Sequence, residues 1–454
     1  MFSHIYEKLN AFSKEVVSFL NDPSRVIADD FLVVISHKYE DIEEQYFKIL
    51  NDKNITKKIN CKNLIVLPGV IDTQVHFREP GLTHKEDIEC ASKAAVMGGV
   101  TAFCEMPNTN PLTTSEKELN WKLLKAKNVS WCDYSFFIGA TPNNILKLSE
   151  YEKLPGCVGI KIFMGSSTGE LLVQDTNNLF EILSNGQKRI AVHAEDEVRL
   201  KERYNLFKNS NEPVDHPKIR DPKSALLATK CIMEIANKVK RPLHLLHIST
   251  ASEMKLLKSK SQLITVEVTP QHLTLSSPDC YKENGTLVQM NPPIRSKYHQ
   301  KELWNGIYNG TVDVIGSDHA PHTLEEKNND YPNSPSGMPG IQTMLPLMLN
   351  EVSKKKLKLS KLVDLLCRRP AEIYKMKSRG LIQEGYKASL TVVDLNLSKS
   401  LDPKDIMSRC AWSPFTGKRL KGWPVVTIIN GDIVMYKNKL VKRPNVYPVV
   451  FDEY

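Results

Sequence analysis

The nine cysteines of this 454-residue chain never form a Cys-x-x-Cys pair, and their spacing shows no regular pattern. Disulfide frameworks and thiolate metal sites both depend on closely spaced or regularly repeated cysteines. The cysteines therefore predict reduced thiols in a cytoplasmic protein, and they exclude a scaffold held by disulfides.

The chain also lacks a long hydrophobic run. No apolar stretch approaches the roughly 20 residues that a bilayer-spanning helix requires. The N-terminal segment HIYEKLNAFSKEVVSFL has apolar residues at helical spacing, interrupted by Lys8, Lys14 and Glu15. This pattern predicts an amphipathic helical extension over residues 1–27 instead of a signal peptide. We therefore expect no membrane partner.

Strong charge of one sign is absent as well. The formal net charge of +9 comes from 61 basic and 52 acidic residues, which is a mild excess for this length. The densest basic run, SKKKLKLSK from Ser353, alternates with leucine and is typical of a solvated helix face. The sequence thus favours a globular protein that acts on a small molecule, without a nucleic-acid partner.

Eight short apolar or β-branched runs alternate with segments of helical composition. The candidate strands begin at Val70, Val100, Tyr134, Val158, Arg189, Leu243, Leu263 and Val312, and the clearest helical segments begin at His84, Ser115, Asn143, Pro222 and Gln300. A strand and a helix repeated eight times across about 250 residues is the pattern of a (β/α)₈ barrel. An open doubly wound sheet is the alternative, because alternation alone does not show closure.

Polar side chains at the strand ends favour the barrel. They end, follow or lie within six of the eight strands: His76, Asn108, Lys161, His193, His247 and Asp318. Reactive groups of such barrels gather at the carboxyl ends of the strands. Groups from so many strands can converge on one point only if the sheet closes, so we predict a closed α/β barrel of the TIM type.

The two ends of the sequence have a different pattern. FLVVISHK and NLIVL before the barrel, and ASLTVVDL, PVVTIINGDIVMYKNKLV and NVYPVV after it, read as short strands. We predict a small flanking β-sandwich-like domain built from residues 28–67 and 385–454. The barrel would then occupy residues 68–384.

The strand-end residues form a set that could bind metal. A single histidine at the end of an apolar strand is usually a hydrogen-bonded core or rim residue, and Asp318 could cap the helix that follows it. Three histidines, one aspartate and one lysine at the same rim are harder to explain in this way. Imidazole and carboxylate ligands suit zinc or a similar divalent ion. A lysine could join them only as a neutral amine converted to a carbamate.

Several longer motifs carry a resemblance to a known family. They are HFREPG at His76, GGVTAFCEMPNTNP at Gly98, GIKIFMGSSTG at Gly159, VHAED at Val192, LHIST at Leu246, QMNPPIR at Gln289 and GSDHAPH at Gly316. Over residues 66–390 the chain resembles the dihydroorotases of the amidohydrolase superfamily, of the longer type related to allantoinases and hydantoinases. REPG and MPNT point to the dihydroorotases within that group.

This resemblance implies a role for each matching position. His76 would bind a first metal ion, Lys161 as its carbamate would bridge two ions, and His193 and His247 would hold the second. Asp318 would bind metal and act as general base and then acid. The remaining implied contacts are with substrate: Arg78, Asn108 and His322 with its carboxylate, and Asn291, Ser336 and Gly337 with its ring.

The implied reaction is the reversible cyclisation of N-carbamoyl-L-aspartate to dihydroorotate in pyrimidine biosynthesis. In the hydrolytic direction a metal-activated hydroxide attacks the ring amide carbonyl, and Asp318 moves the proton to the leaving nitrogen. The resemblance further implies one or two Zn²⁺ ions, a homodimer, and an association with aspartate transcarbamoylase in some relatives.

One position departs from the family pattern. Gln74 replaces the first histidine of the HxH pair, and a glutamine carbonyl is a weaker zinc ligand than imidazole. We therefore expect Gln74 to be a weak or absent ligand. Three hypotheses follow: an active dihydroorotase, a catalytically silent structural partner of aspartate transcarbamoylase, and another cyclic amidohydrolase of the hydantoinase or allantoinase kind. Degenerate relatives are expected to lose several ligands together, so the retained set favours activity.

Overall fold

The computed structural model describes residue 59, residues 61–165 and residues 171–453. The predicted helical extension at 1–27 and the predicted strand FLVVISHK lie outside the described residues. Within the described ranges, no helix is long and apolar enough to cross a membrane.

A parallel eight-stranded sheet forms the centre of the molecule. After β1 (Ile65–Pro68), its strands are β2 (Val70–Val75), β3 (Val100–Glu105), β4 (Asp133–Gly139), β5 (Cys157–Phe163), β6 (Ile190–His193), β7 (Leu243–Leu245), β8 (Ile264–Val268) and β9 (Val314–Ile315). They pair in chain order from β2 to β9. The backbone N–H of His76 donates to His319 O at 2.7 Å, which joins the first barrel strand to the segment after the last. The predicted barrel is confirmed, with all eight strands where the sequence indicated.

Helices alternate with these strands. In the described residues they are α1 (Ile88–Met97), α2 (Glu116–Val129), α3 (Leu148–Tyr151), α4 (Thr176–Ser184), α5 (Glu197–Leu206), α6 (His216–Ile219), α7 (Pro222–Val239), α8 (Ala251–Leu257), α9 (Pro270–Thr274), α10 (Asp279–Asn284), α11 (Lys297–Tyr308), α12 (Leu324–Lys327), α13 (Met344–Ser353), α14 (Leu359–Val363) and α15 (Arg369–Ile373). Side-chain caps define several N-termini: Asp87 accepts from Cys90 N before α1, and Asp221 from Ser224 N before α7.

The barrel strands are buried on both faces. Every residue of β2 to β6 is buried, since helices cover the outside and side chains fill the inside. This explains why the strands read as continuous apolar runs without alternation. The buried lysine of β5, Lys161, is 1% exposed and breaks that rule.

The second sheet combines both ends of the described chain. It is antiparallel, in the order β1, β10 (Leu390–Ser400), β11 (Arg419–Ile429), β12 (Asp432–Tyr436), β13 (Lys439–Leu440). A turn through Asn430 and Gly431 joins β11 to β12, and the φ angles of these residues, 49° and 87°, suit the right-handed twist of a hairpin. The predicted flanking β unit is confirmed as this sheet. The residue boundaries of the two domains stay a prediction.

One predicted strand of the flanking unit belongs elsewhere. The segment 445–450 forms a single bridge beside β4, where Val449 N donates to Tyr134 O at 2.8 Å. It therefore packs against the barrel and does not extend the antiparallel sheet.

Candidate active site

A cavity of about 570 Å³ opens at the carboxyl ends of the barrel strands. All twelve residues that the sequence indicated line it: Gln74, His76, Arg78, Asn108, Lys161, His193, His247, Asn291, Asp318, His322, Ser336 and Gly337. They come from positions up to 263 residues apart, as the separation between Gln74 and Gly337 shows. Barrel closure is what brings them together.

Two histidines face each other on one side of the cavity. His193 Nδ1 lies 3.1 Å from His247 Nε2, and His193 Nε2 lies 2.9 Å from a carboxylate oxygen of Glu195. Because a carboxylate accepts, Nε2 carries the hydrogen and Nδ1 keeps its lone pair. Burial lowers the pKa of both rings, so both are neutral at neutral pH. Neutral nitrogens that converge in this way could hold a cation.

Lys161 extends into the same region without a hydrogen-bond partner. Within the described ranges its buried Nζ has none, and it lies 4.3 Å from the centre of the Phe163 ring. Burial holds the pKa of Lys161 well below its ordinary value, although Asp318 and Glu267 oppose the shift. Burial therefore favours the neutral amine, which is the form that carbon dioxide can convert to a carbamate.

His76 and Asp318 complete this group. Beside Asn108 Oδ1, 2.5 Å away, His76 Nδ1 is the donor, so the other ring nitrogen, Nε2, has the lone pair. Nε2 lies 3.3 Å from Asp318 Oδ1, and this contact between two acceptors is one that a bound cation would stabilise. Burial lowers the pKa of His76 and keeps it neutral. The Asn108 amide nitrogen is then a donor available to a substrate.

Gln74 contacts the same carboxylate. Its Nε2 donates to Asp318 Oδ1 at 2.9 Å, and its buried Oε1 has no partner among the residues that the structure describes. The carboxylate accounts for this orientation of the amide, because a carbonyl oxygen in that place would face another acceptor. Gln74 thus holds Asp318 through an N–H.

Three site residues have left-handed backbone. The φ angles of Arg78, His247 and Asp318 are 64°, 38° and 44°. This region costs a non-glycine residue about 1–3 kcal/mol, and such strain is concentrated at functional sites. The strain directs side chains from the strand ends into the cavity.

The other side of the cavity presents donors. Arg78 Nε donates to Pro321 O at 3.1 Å, and an Arg78 terminal nitrogen lies 3.3 Å from His322 Nε2. Burial lowers the pKa of Arg78 to about 10, so the group stays charged at neutral pH. A buried guanidinium beside imidazole suits a carboxylate, since its fork matches two oxygens.

The loop before α13 lines the rest of the cavity. Gly337 has a φ of 139°, and a Cβ there would lie 2.4 Å from Ala320 O, so only glycine allows this approach. Asn291 Oδ1 accepts from His216 Nε2 at 2.9 Å. These contacts place the Ser336–Gly337 backbone and the Asn291 amide along the wall between the two sides.

Comparison with known proteins identifies the group to which the chain belongs. The profile of the amidohydrolase family matches residues 65–434, which include the whole barrel. The chain belongs to the amidohydrolase family.

Individual amidohydrolases support this assignment in more detail. The chain is 34% identical to the dihydroorotase of Pyrococcus abyssi over 384 residues, covering 84% of this chain and 86% of that protein. It is 34% identical to the dihydroorotase of Methanosarcina mazei over 401 residues, covering 85% and 87%. The resemblance to dihydroorotases indicated by the motifs is confirmed.

Solved structures of amidohydrolases share the fold. The L-hydantoinase (dihydropyrimidinase) of Arthrobacter aurescens has a TM-score of 0.85 at 26% identity, over 94% of this chain and 95% of that one. The dihydropyrimidinase of Brevibacillus agri has a TM-score of 0.82 at 22% identity, over 94% and 95%. The barrel with its flanking sheet is thus a fold shared with these enzymes.

The sequence did not indicate three further residues of this amidohydrolase site. Glu195 supports His193 and pairs with the buried guanidinium of Arg220. Burial opposes the shift, but Arg220 holds the pKa of Glu195 below its ordinary value. Lys85 lines the cavity beside His322. The VHAED motif could have suggested Glu195, whereas no local pattern places Arg220 or Lys85 at the site.

Proposed function

We propose that this amidohydrolase is a dihydroorotase, which interconverts N-carbamoyl-L-aspartate and dihydroorotate. The observation that carries the proposal is that one cavity holds both the donor set around Asp318 and the buried guanidinium of Arg78 beside His322. Dihydroorotate has a cyclic amide and a carboxylate on one small ring, and the cavity offers complementary chemistry to both. The identity of 34% to proteins named dihydroorotase supports this reading.

The donor set fits a divalent ion such as zinc. His193 and His247 present converging neutral nitrogens, His76 has a lone pair that faces Asp318, and Lys161 is a buried neutral amine. We assign these five residues as ligands, with Lys161 as its carbamate, and Gln74 Oε1 as a weak additional donor. A bound ion would polarise the amide carbonyl and provide a hydroxide nucleophile at neutral pH.

Asp318 is the group that moves the proton. Its Oδ1 accepts from Gln74 Nε2 and faces His76 Nε2, so the carboxylate is held at the centre of the donor set. In the hydrolytic direction it takes the proton of the attacking water and delivers it to the ring nitrogen as the C–N bond breaks. The reverse transfers apply to cyclisation.

Arg78, Asn108 and His322 bind the substrate carboxylate, and Asn291, Ser336 and Gly337 contact the ring. This assignment separates the proposal from the hydantoinase alternative. An uncharged hydantoin ring does not need a buried guanidinium, whose desolvation is costly without an anion. The buried Arg78 therefore favours a substrate with a carboxylate.

The buried amine of Lys161 argues against the alternative that the protein is catalytically silent. A site maintained only for structure has no reason to keep a neutral buried lysine without a hydrogen-bond partner, because such a group destabilises the fold. Among the described residues, Lys161 is such a group. If the protein associates with aspartate transcarbamoylase, we propose that it does so as an active enzyme.

An assay of dihydroorotate tests the function. We expect the purified protein to consume dihydroorotate, seen as a loss of ultraviolet absorbance at mildly alkaline pH, and to stop after treatment with a chelator. Zinc, cobalt or manganese should restore the rate, and the uncharged ring hydantoin should react far more slowly. Absence of dihydroorotate turnover at every pH with all three metals would refute the proposal.

A second experiment concerns the first metal position. We expect Gln74→His to raise the metal content after dialysis towards two ions per chain, because imidazole binds zinc more tightly than an amide oxygen. Elemental analysis of the wild type and the variant, prepared side by side, gives the stoichiometry independently of activity. Equal metal contents in the wild type and the variant would mean that Gln74 does not limit the occupancy of the first metal position.

We further propose a cytoplasmic location and a homodimer. All nine cysteines are free, which supports the reducing environment of the cytoplasm. The homodimer is carried over from the resemblance to dihydroorotases.

A further inference from the structure

Lys85 lies between the cavity and α12. Its Nζ is 3.0 Å from Glu326 Oε1 and 3.1 Å from His322 Nδ1, and its side chain is 15% exposed. Glu326 is itself fixed, because its other oxygen accepts from Thr323 N in the capping box of α12. The ammonium group is therefore directed at one nitrogen of the His322 ring.

The partners of His322 determine which ring nitrogen carries the hydrogen. Burial, followed by the charges of Arg78 and Lys85, holds the pKa of His322 well below its ordinary range, so the ring is neutral. An ammonium can only donate, so Nδ1 must accept from Lys85. A carbonyl can only accept, and Ser336 O lies 3.2 Å from Nε2. Both neighbours require the hydrogen on Nε2.

This tautomer determines whether His322 can accept a hydrogen bond from Arg78. The terminal nitrogen of Arg78 and His322 Nε2 are 3.3 Å apart, and because Nε2 donates its hydrogen to Ser336 O, it does not accept from Arg78. The terminal N–H of Arg78 therefore stays available to an oxygen of the substrate carboxylate. In the opposite tautomer, Nε2 would accept from Arg78 and consume a donor that the substrate needs.

We propose that Lys85 is a positioning residue that fixes the His322 tautomer and thereby gives the site its preference for a substrate with a carboxylate. The inference rests on the proposed function, since it concerns the carboxylate of dihydroorotate. It adds a residue that acts through His322 and does not itself belong to the metal-binding group.

An ordinary surface ion pair would not have these properties. Lys125 provides the comparison, because its Nζ lies 3.0 Å from Glu79 Oε1 but its side chain is 37% exposed and does not line the cavity. Exposed pairs of that kind contribute little to stability or function. Lys85 is less exposed, lies at the cavity wall and contacts a ring nitrogen.

The test compares a ligand that has the carboxylate with one that lacks it. We would measure kcat and KM for dihydroorotate, and Ki for dihydrouracil as a competitive inhibitor, in the wild type, Lys85→Met, Lys85→Arg and Lys125→Met. We expect Lys85→Met to raise KM about tenfold, corresponding to roughly 1.4 kcal/mol, with kcat and the Ki of dihydrouracil within about twofold. Lys85→Arg, which keeps a cationic donor, should restore most of the affinity, and Lys125→Met should match the wild type.

Two results would overturn the inference. If KM does not change, Lys85 has no influence on the carboxylate. If KM for dihydroorotate and Ki for dihydrouracil rise together, Lys85 affects the shape of the pocket and does not act on the substrate carboxylate. A wild type that does not act on dihydroorotate would instead refute the proposed function, so the two failures are distinguishable.

Discussion

Replacing Asp318 by asparagine is expected to lower kcat for dihydroorotate hydrolysis by about 10³-fold while substrate binding stays measurable. The carboxamide has nearly the shape of the carboxylate, and its oxygen can still accept from Gln74 Nε2, which donates to Asp318 Oδ1 at 2.9 Å. It cannot take a proton from water or return one to the ring nitrogen. The loss should therefore be in the chemical step.

Steady-state kinetics together with calorimetric titration of dihydroorotate would separate turnover from binding. Metal content must be measured on the same sample, because Asp318 is also proposed as a ligand. Asp279→Asn is a suitable control, since Asp279 is exposed and forms a surface ion pair with Lys297 at 3.2 Å. A kcat within tenfold of the wild type would assign the proton transfer to another group.

Replacing Lys161 by methionine should have effects of opposite sign on activity and stability. Activity should fall below detection, because methionine cannot form the carbamate that Lys161 is proposed to contribute as a metal ligand. The metal-free protein should become more stable by about 1–3 kcal/mol, since methionine removes a buried amine without a described hydrogen-bond partner. Function and stability compete at this position, as is common at active sites.

Urea unfolding of the chelator-treated proteins would measure this difference. Lys122→Met is the matched control, because Lys122 is equally buried but forms an ion pair with buried Glu105. Its loss leaves a buried carboxylate without its partner, so we expect stability to fall by about 3–5 kcal/mol. Destabilisation by Lys161→Met comparable to that of Lys122→Met would mean that the Lys161 amine has a stabilising partner.

The barrel was predictable because its signal is local and repeated. Each strand is a short apolar run bounded by helical segments, and burial on both faces makes such runs continuous. The flanking sheet was harder to predict, since the short strands at the two ends of the chain have weak sequence patterns. Segment 445–450 has the composition of a strand, yet its partner is β4, and composition does not specify a partner.

The residues proposed to bind metal could be predicted for a different reason. His76, His193, His247 and Asp318 are polar residues at or just after the ends of buried strands, where a side chain without function would be costly. Arg220 lies between α6 and α7, 25 residues along the chain from Glu195, and Lys85 lies between β2 and α1, 237 residues from His322. No sequence pattern links Lys85 to His322, because the contact exists only once the barrel has closed.

The sequence by itself determined the alternation of strands and helices, the residues at the strand ends and the family to which the chain belongs. Only the tertiary structure decided how those residues act on each other. Gln74 shows the difference: its residue type predicted a weak metal ligand, and only its surroundings show that its N–H donates to Asp318. Hydrogen-bond direction depends on which groups face each other across the cavity, and that is a property of the closed barrel, not of any one segment.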